Sequence, residues 1–573
     1  MSLIIGIDVG GTHTNAVLIQ DNLLLATAKC PTDPDDLLCS AHSVLEEITR
    51  AIPGAFRENI ELHLSTTLAT NAIVTGRGDP VATIVIPGPG VNPADLKLPA
   101  PVHEVKGAVD HRGRETAALD RTEIRRVLHT IRKSGIAALA IVGKFSVRNP
   151  SQELTVAAMA REEFPHFNPV ILGHRLSGRL NFPRRITTAF LNAGIFRIQA
   201  GFGKMVTDLA EQYRVGKRIF LLKGDGGTIP LGESLTRPVE TALSGPAASI
   251  MGALALGSPL GGTVVTLDIG GTTTEIAVLV NGEPLGEREG AVIAGYRTLI
   301  PALFSRSVGM GGDSRIYWSE GDLMIGPERY GPPAALGGAE LTPTDAVVAL
   351  GGASLGDRER AREGLRSFGA VAGLSVAETA ERIVAVFVGR VVAAIHGVFE
   401  YLNSRPVYTV SEALTPANLR PERLVGMGGP ADFWIPKIAA RMGLPWQVLP
   451  YAEAANAAGA AASRPTVGIH LRADTELGKL IVPELDELTD LRRTLLFDMN
   501  KAREIAREKA VLYASRNGLD TEFAAIEITD EAVFNVVKDF YKAGQIFSLQ
   551  AQIKPGVTGL KPGAARKEGF PNG

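Results

Sequence analysis

Short runs of Ile, Val and Leu recur along the chain, each stopped by a carboxylate, a glycine pair or a turn. Leu3–Val9 and Thr263–Ile269 are two such runs, nearly all apolar and short enough to be buried strands. Each enters Asp-x-Gly-Gly, as Asp8-Val9-Gly10-Gly11 and Asp268-Ile269-Gly270-Gly271, and resumes as a second extended segment, NAVLI or EIAVLV. Further turns, Gln20-Asp21-Asn22 and Asn281-Gly282, lead into a third. The pattern predicts two β-hairpins 260 residues apart, too long a period for a solenoid and suited to duplicated halves.

Elsewhere helical and extended patterns alternate. Asp36–Ala51 and the basic stretch Arg121–Ser134 have helical spacing; Val81–Ile86 and Ile136–Phe145 read as strands. This alternation predicts an α/β fold. Between residues 240 and 470 glycine and alanine are abundant, as close helix–sheet packing requires. His396 falls on a helical Val/Ile stripe and is expected in the core. From about residue 485 the character changes: 488–518 reads as one long charged helix and 524–553 as strand–helix–strand.

At 573 residues the chain exceeds one hydrophobic core, so several domains are expected. A net charge of −2 gives no electrostatic case for nucleic acid or an anionic membrane. The two cysteines, Cys30 and Cys39, lack metal-ligand spacing and read as free thiols of a reducing compartment. No basic region precedes the first apolar run, and no apolar stretch reaches the about 18 uncharged residues of a membrane span. A soluble, cytoplasmic protein is expected.

The chemistry lies in the repeated turn. A Gly-Gly turn opens backbone N–H groups to a ligand, and flanking threonines add donors, together forming a cradle for phosphate oxygens. An Asp before the turn would repel phosphate unless a divalent cation stood between them. One such hairpin is equally readable as a simple turn; two at matching places favour a nucleotide held from both sides. There is no G-x-x-x-x-G-K-[ST] motif. Gly426-Met427-Gly428-Gly429-Pro430-Ala431 fits G-x-G-x-x-A, a dinucleotide fingerprint, but also suits a turn approached by an adenosine.

Asp-x-Gly-Gly-Thr in two halves, followed by Gly-x-Gly-Gly-Pro, resembles the actin, Hsp70 and sugar-kinase superfamily. Within it the chain is most similar to the hydantoinase/oxoprolinase A family. The supporting segments are Ser65–Ala72, Phe145–Pro150, Leu243–Ala248, Val308–Ser314, Leu341–Ala346 and Gly426–Ala431, in the family's order. The resemblance implies two duplicated RNase H-like lobes, 1–178 and 179–470, an interlobe nucleotide cleft, and a small C-terminal α+β module, 471–573. It implies ATP and Mg²⁺ as cofactors. Gly10, Gly11, Thr12 and Thr14 would serve the first phosphate turn and Gly270, Gly271, Thr272 and Thr273 the second. Mg²⁺ would lie near Asp8 and Asp268, and Gly428 and Gly429 would flank the adenosine. The implied reaction is ATP-dependent opening of a hydantoin, 5-oxoproline or lactam through phosphorylation of its carbonyl oxygen. Alternatives on this fold are a small-molecule kinase, an ATP-dependent carboxylase subunit, or an ATPase switch acting on a partner protein. A B-type subunit and a homo-oligomer are possible partners.

Some positions depart from the family. Where it usually shows Asp-x-His, this chain has Phe304-Ser305-Arg306, and after Ala72 it reads Val74-Thr75-Gly76-Arg77-Gly78 rather than a Glu-Arg-Lys-Gly run. Both segments are expected along the substrate or metal side of the cleft. His13 reads as an exposed turn residue rather than a phosphate contact, and Asp313 as a solvated turn rather than a metal ligand. Asp345 suits a helix start. Arg184, Arg185 and Arg306 read as partners of surface acids before substrate anchors. Ser244 lacks the surroundings of a nucleophile elbow.

Overall fold

The computed structural model describes residues 3–33, 37–50, 52, 57–257, 260–287, 289–404, 418–491, 496–519, 526–538, 540–553 and 555–562. The two apolar runs are inner strands of two sheets. Leu3–Val9 pairs antiparallel with His13–Gln20 and parallel with Ile60–Thr66. That sheet continues through Leu23–Pro31 on one side and Arg218–Leu222 and Thr228–Pro230 on the other. Thr263–Ile269 repeats the arrangement, antiparallel to Thr274–Val280 and parallel to Arg423–Met427, which is parallel in turn to Trp446–Val448. Both hairpin turns therefore open at the C-terminal edge of parallel strands, the edge where open α/β sheets bind ligands.

Small residues hold the two sheets close. Helices Ser244–Leu256 and Ala455–Ala462 lie between them and share one core with Val17, Ile19 and Leu24 of the first sheet and Val264 and Leu279 of the second. A Cβ on Gly252 would sit 2.2 Å from Ala455 O, one on Gly459 2.2 Å from Ala248 O, and one on Gly6 2.3 Å from Ala457 O. The backbones are in near contact, so the alanine and glycine enrichment has a geometric cause.

Beneath the second sheet pack helices Val376–Ser404 and Ala431–Met442, with Phe387 stacked on Trp434 at 3.9 Å. Val376–Ser404 is, among the described residues, one helix long and apolar enough to cross a membrane by length and composition. Its stripe of Ile383, Phe387, Val391, Ile395 and Val398 is buried in this core. His396 lies off that stripe and is exposed, contrary to expectation, because it falls beside Ile395 on the outward side.

A further, four-stranded parallel sheet joins the N-terminal part, in the order Val170–Leu172, Ala138–Gly143, Val81–Ile86, Val102–Glu104. The 32-residue helix Phe182–Tyr213 runs from this sheet's core to the first sheet's. The first sheet also takes in Lys561–Pro562, parallel to Leu23–Pro31 at its edge, and a third large sheet begins at Gly468.

That third sheet corrects the expected C-terminal module. The described residues of 526–553 form two antiparallel strands, Ile526–Lys538 and Tyr541–Ile553, of 13 residues each, with no helix among them. The helix-like spacing of Val533, Val536 and Val537 is overridden by β-branched content and by pairing along the whole partner strand. The expected long helix also shortens. Glu487–Asp490 is a strand, and the helix runs Met499–Arg516, begun where Asp498 accepts a hydrogen bond from Lys501 N at 2.8 Å. Residues 492–495 of that stretch, and Asp36 and Ala51 of the first predicted helix, lie outside the described residues.

Candidate functional site

The two Asp-x-Gly-Gly turns meet. Each is closed by the same bond, Gly10 N to His13 O at 3.2 Å and Gly270 N to Thr273 O at 2.9 Å. A Cβ on Gly271 would lie 3.2 Å from Thr12 Oγ1 of the first turn and 2.8 Å from Asp313 Oδ2. With no side chain on Gly10, Gly11, Gly270 and Gly271, the backbone of both turns stays approachable. Thr12, Thr272 and Thr273 are half-buried along it.

Behind the turns the carboxylates converge. Asp8, 5% exposed, is pushed up to about 7 by burial; a hydrogen bond from Ser65 opposes this, and the nearby charge of Asp268 adds to it. Asp268 Oδ2 accepts from Ser249 Oγ at 2.5 Å and from Asn456 Nδ2 at 3.1 Å, one donor from each interlayer helix. Opposite Asp268 across the hairpin stands Glu275, also raised to about 7 by burial, with Asp268 contributing. The matching position in the first hairpin is Asn15. Asp8 Oδ1, Asn15 Oδ1 and Glu275 Oε2 are all buried without a hydrogen-bond partner. Three orphaned acceptors around one seam are a cost that a bound cation or donor would relieve.

The glycine turn after Arg423–Met427 closes the site from the second sheet. Gly428 has φ +92°, and a Cβ on it would lie 2.2 Å from Ile269 O and 3.0 Å from Asp268 Oδ1. This turn does join a strand to a helix, as a dinucleotide fingerprint would, yet it abuts Asp268 of the hairpin site. Gly429 is exposed beside Lys29, whose ammonium pairs with Glu453 at 2.9 Å.

Of the predicted site residues, the structure gathers Asp8, Gly10, Gly11, Thr12, Asp268, Gly270, Gly271, Thr272, Thr273, Gly428 and Gly429 around the seam. Thr14 is the exception. It is fully buried, and its hydroxyl meets Thr32 Oγ1 at 2.9 Å, because as the second residue of its strand it points inward. Thr274 does the same in the second hairpin, donating to Met310 O at 2.8 Å.

His13 is half-buried, and burial together with Lys29 and Arg329 lowers its pKa. Asp313 is not a solvated turn residue: it lies on the second glycine turn, accepts from Thr344 Oγ1 at 3.2 Å and faces Arg329 at 3.6 Å. Asp345 forms a capping box with Thr342, Arg184 pairs with Glu289, and buried Ser244 donates to Thr66 O. Arg185 is not at the surface; it is fully buried and donates to Gly143 O and Lys144 O. The Phe304-Ser305-Arg306 segment does not line the seam with polar groups. Phe304 is fully buried, stacked on Tyr401, and Arg306 lies over both rings.

Ser65, Ser249, Glu275 and Asn456 were not singled out from the sequence. Glu275 carries a usable signal, as the acid facing Asp268 in hairpin register. Asn456 carries another, as the lone amide in a helix otherwise made of alanine and glycine.

Comparison with known proteins follows the same segments. The family described as hydantoinase/oxoprolinase matches residues 185–467, and its N-terminal region matches residues 4–164. Caprolactamase subunit alpha of Pseudomonas jessenii is 26% identical over 480 residues, covering 77% of this chain and 67% of the relative. Acetophenone carboxylase gamma subunit of Aromatoleum aromaticum is 27% identical over 390 residues, covering 61% and 53%. The chain thus spans about two thirds of the first relative and about half of the second. A nucleotide-free structure of acetone carboxylase, 17% identical, superposes with a TM-score of 0.71 over 98% of this chain and 89% of that one, which shows a shared fold.

Proposed function

The chain belongs to the hydantoinase/oxoprolinase family, and from that premise we propose that it is an ATP-dependent, Mg²⁺-assisted enzyme opening a cyclic amide through phosphorylation of the carbonyl oxygen. The observation that carries this reading is the meeting of two Asp-x-Gly-Gly turns over converging carboxylates. The shared strand order of the two large sheets supports reading them as duplicated RNase H-like lobes with the nucleotide cleft between.

Gly10, Gly11 and Thr12 on one side, and Gly270, Gly271, Thr272 and Thr273 on the other, present the N–H and hydroxyl donors that phosphate oxygens need. Gly428 and Gly429 leave room for the adenosine. Asp8 and Asp268 would hold Mg²⁺, and the orphaned Asp8 Oδ1 fits that role. No group of three or more His, Cys, Asp or Glu that could hold a metal occurs among the described residues. Two carboxylates, with phosphate and water completing the shell, is a donor set that suits Mg²⁺. When bound, the ion supplies charge neutralisation at the phosphate oxygens. Ser249 and Asn456 fix the rotamer of Asp268, and Ser65 supports Asp8.

An unstrained amide is a poor electrophile, and phosphorylation converts its oxygen into a leaving group; the turns position the donor for that transfer. Two relatives are by name subunits, which supports a partner subunit for full turnover. The test is to follow ADP, phosphate and ring opening together with ATP, Mg²⁺ and hydantoin, 5-oxoproline or lactams. Ring opening matched to free phosphate is the expected result. A stable phosphorylated organic product, or turnover indifferent to every cyclic amide, overturns the reading.

A further inference from the structure

The third sheet ends on a long strand with an open side. Its order is Glu487–Asp490, Lys479–Val482, Gly468–Asp474, Tyr541–Ile553, Ile526–Lys538, so the last of these is an edge. Among the described residues the outer side of Ile526–Lys538 makes no backbone hydrogen bond. A 13-residue unpaired edge is a template for another strand, which proteins blunt with proline or a short edge. This one has no proline. It carries Val533, Phe534 and Val537 exposed, and the turn that follows adds Tyr541 and a wholly exposed Phe540. Five large apolar side chains bared within nine positions mark an interaction surface rather than scattered surface residues.

The surface is complementary to itself. Pairing with Tyr541–Ile553 is irregular after Ile528 and after Val536, which leaves Asp530–Val536 as the regular stretch. Antiparallel pairing of that stretch with its own copy sets a two-fold axis at its midpoint, Val533. Phe534 then stands opposite Ala532 of the second copy and diagonal to the second Phe534. Asn535 stands opposite the second copy's Glu531. Asn535 Oδ1 already accepts from Gln545 Nε2 at 3.1 Å, so its amide N–H groups are turned to donate to that carboxylate. Residues 526–531 line an open groove together with Arg503 and Arg507 of helix Met499–Arg516. The same register brings Val537 of one copy opposite Thr529 of the other and Phe540 to the level of Ile526. The apolar tip of each copy thus meets the groove of the other, and exposed Lys542 on the tip approaches the exposed acids Glu527 and Asp530.

We propose that Ile526–Lys538 is the edge through which two copies of this chain pair, antiparallel across Asp530–Val536, so that their third sheets become one continuous sheet. Phe540 with the exposed parts of Phe534 and Tyr541 offers roughly 400 Å² per copy. With the valines the pair buries about 1,000 Å², the lower bound of a specific interface and the range of reversible ones. The proposal stands on the edge and its side chains and is independent of the nucleotide site.

The test is sedimentation velocity of the full chain up to about 100 µM. The native chain should dimerise reversibly over that range. Phe534→Asp and Phe540→Ser, both at exposed positions, should each weaken the dimer at least about tenfold. Residues facing each other across the axis have Cβ atoms about 5 Å apart. A short bis-maleimide should therefore link two copies of Val533→Cys through residue 533, read by peptide mass spectrometry, and should not link Val371→Cys, an exposed site on another part of the chain. Thermal unfolding and binding of a fluorescent ATP analogue should match the native chain in every variant, which separates a lost interface from a lost fold. A chain monomeric throughout, which would leave the edge to a different protein, overturns the proposal. So does a dimer indifferent to both aromatic substitutions, or one whose cross-links avoid residue 533.

Discussion

Replacing Asp8 by Asn separates stability from function at the seam. In the folded chain the Asp8 carboxyl stands at about 7 against an ordinary 3.8, principally because it is buried. The folded state therefore holds this proton more tightly than the unfolded chain does. Stability is lost as pH rises from about 4 to about 7, and the deficit is complete above that. At about 1.4 kcal/mol per unit, some three units amount to roughly 4 kcal/mol at pH 8. Asn keeps the shape and an acceptor for Ser65 but carries no charge, so Asp8→Asn should unfold at a higher temperature than the native chain at pH 8 without metal or nucleotide. The two should converge near pH 4. Saturating Mg²⁺ and ATP should narrow the gap: at a hundred times Kd the native chain recovers about 2.7 of the roughly 4 kcal/mol, and the variant gains nothing. Thermal unfolding across pH, with and without Mg²⁺ and ATP, reads both effects. A variant less stable than the native chain at pH 8 without ligand would refute the buried-charge argument, and an undiminished nucleotide shift in the variant would refute the role of Asp8.

Three other perturbations have distinct signatures. Gly428→Ala forces a Cβ onto a backbone at φ +92° and against Ile269 O; a loss of about 2–4 kcal/mol in denaturant unfolding and at least tenfold weaker nucleotide binding are expected. His174 and Glu153 form a fully buried pair at 2.5 Å; burial pulls His174 down, but Glu153 and Asp486 outweigh it and raise its pKa. The stabilisation from that raised pKa is complete below about pH 6.5 and fades as pH rises through the higher folded value. Glu153→Gln should destabilise the chain by about 3–5 kcal/mol, measured by chemical denaturation near pH 6. Arg306→Leu removes the cation over Tyr401 and Phe304; about 1 kcal/mol of stability should go, with nucleotide affinity unchanged by titration.

What could be read from the sequence was what is local. The turns were legible because two glycines between apolar strands have few other uses, and Asp345 because Thr342-x-x-Asp345 is a self-contained cap. That the turns face each other was expected from their repetition; how the chain brings them together was not legible. It depends on Gly6, Gly252 and Gly459 letting two helices lie against backbone, contacts between residues hundreds of positions apart. Thr14 was misplaced because a hydroxyl beside a phosphate turn and one inside a strand look alike in sequence; which face it takes is set by strand parity. The strand–helix–strand reading of 524–553 failed for a related reason: valines at 533, 536 and 537 match helical spacing, and only the partner strand decides between the two periods.

The most direct test of the account is a crystal structure of the full chain with Mn²⁺ and a non-hydrolysable ATP analogue, with data at the manganese edge. The account predicts an anomalous peak held by Asp8 and Asp268, with the phosphates lying between the Gly10-Gly11 and Gly270-Gly271 turns. Phosphates bound elsewhere, or a manganese ion with neither aspartate in its shell, would contradict it.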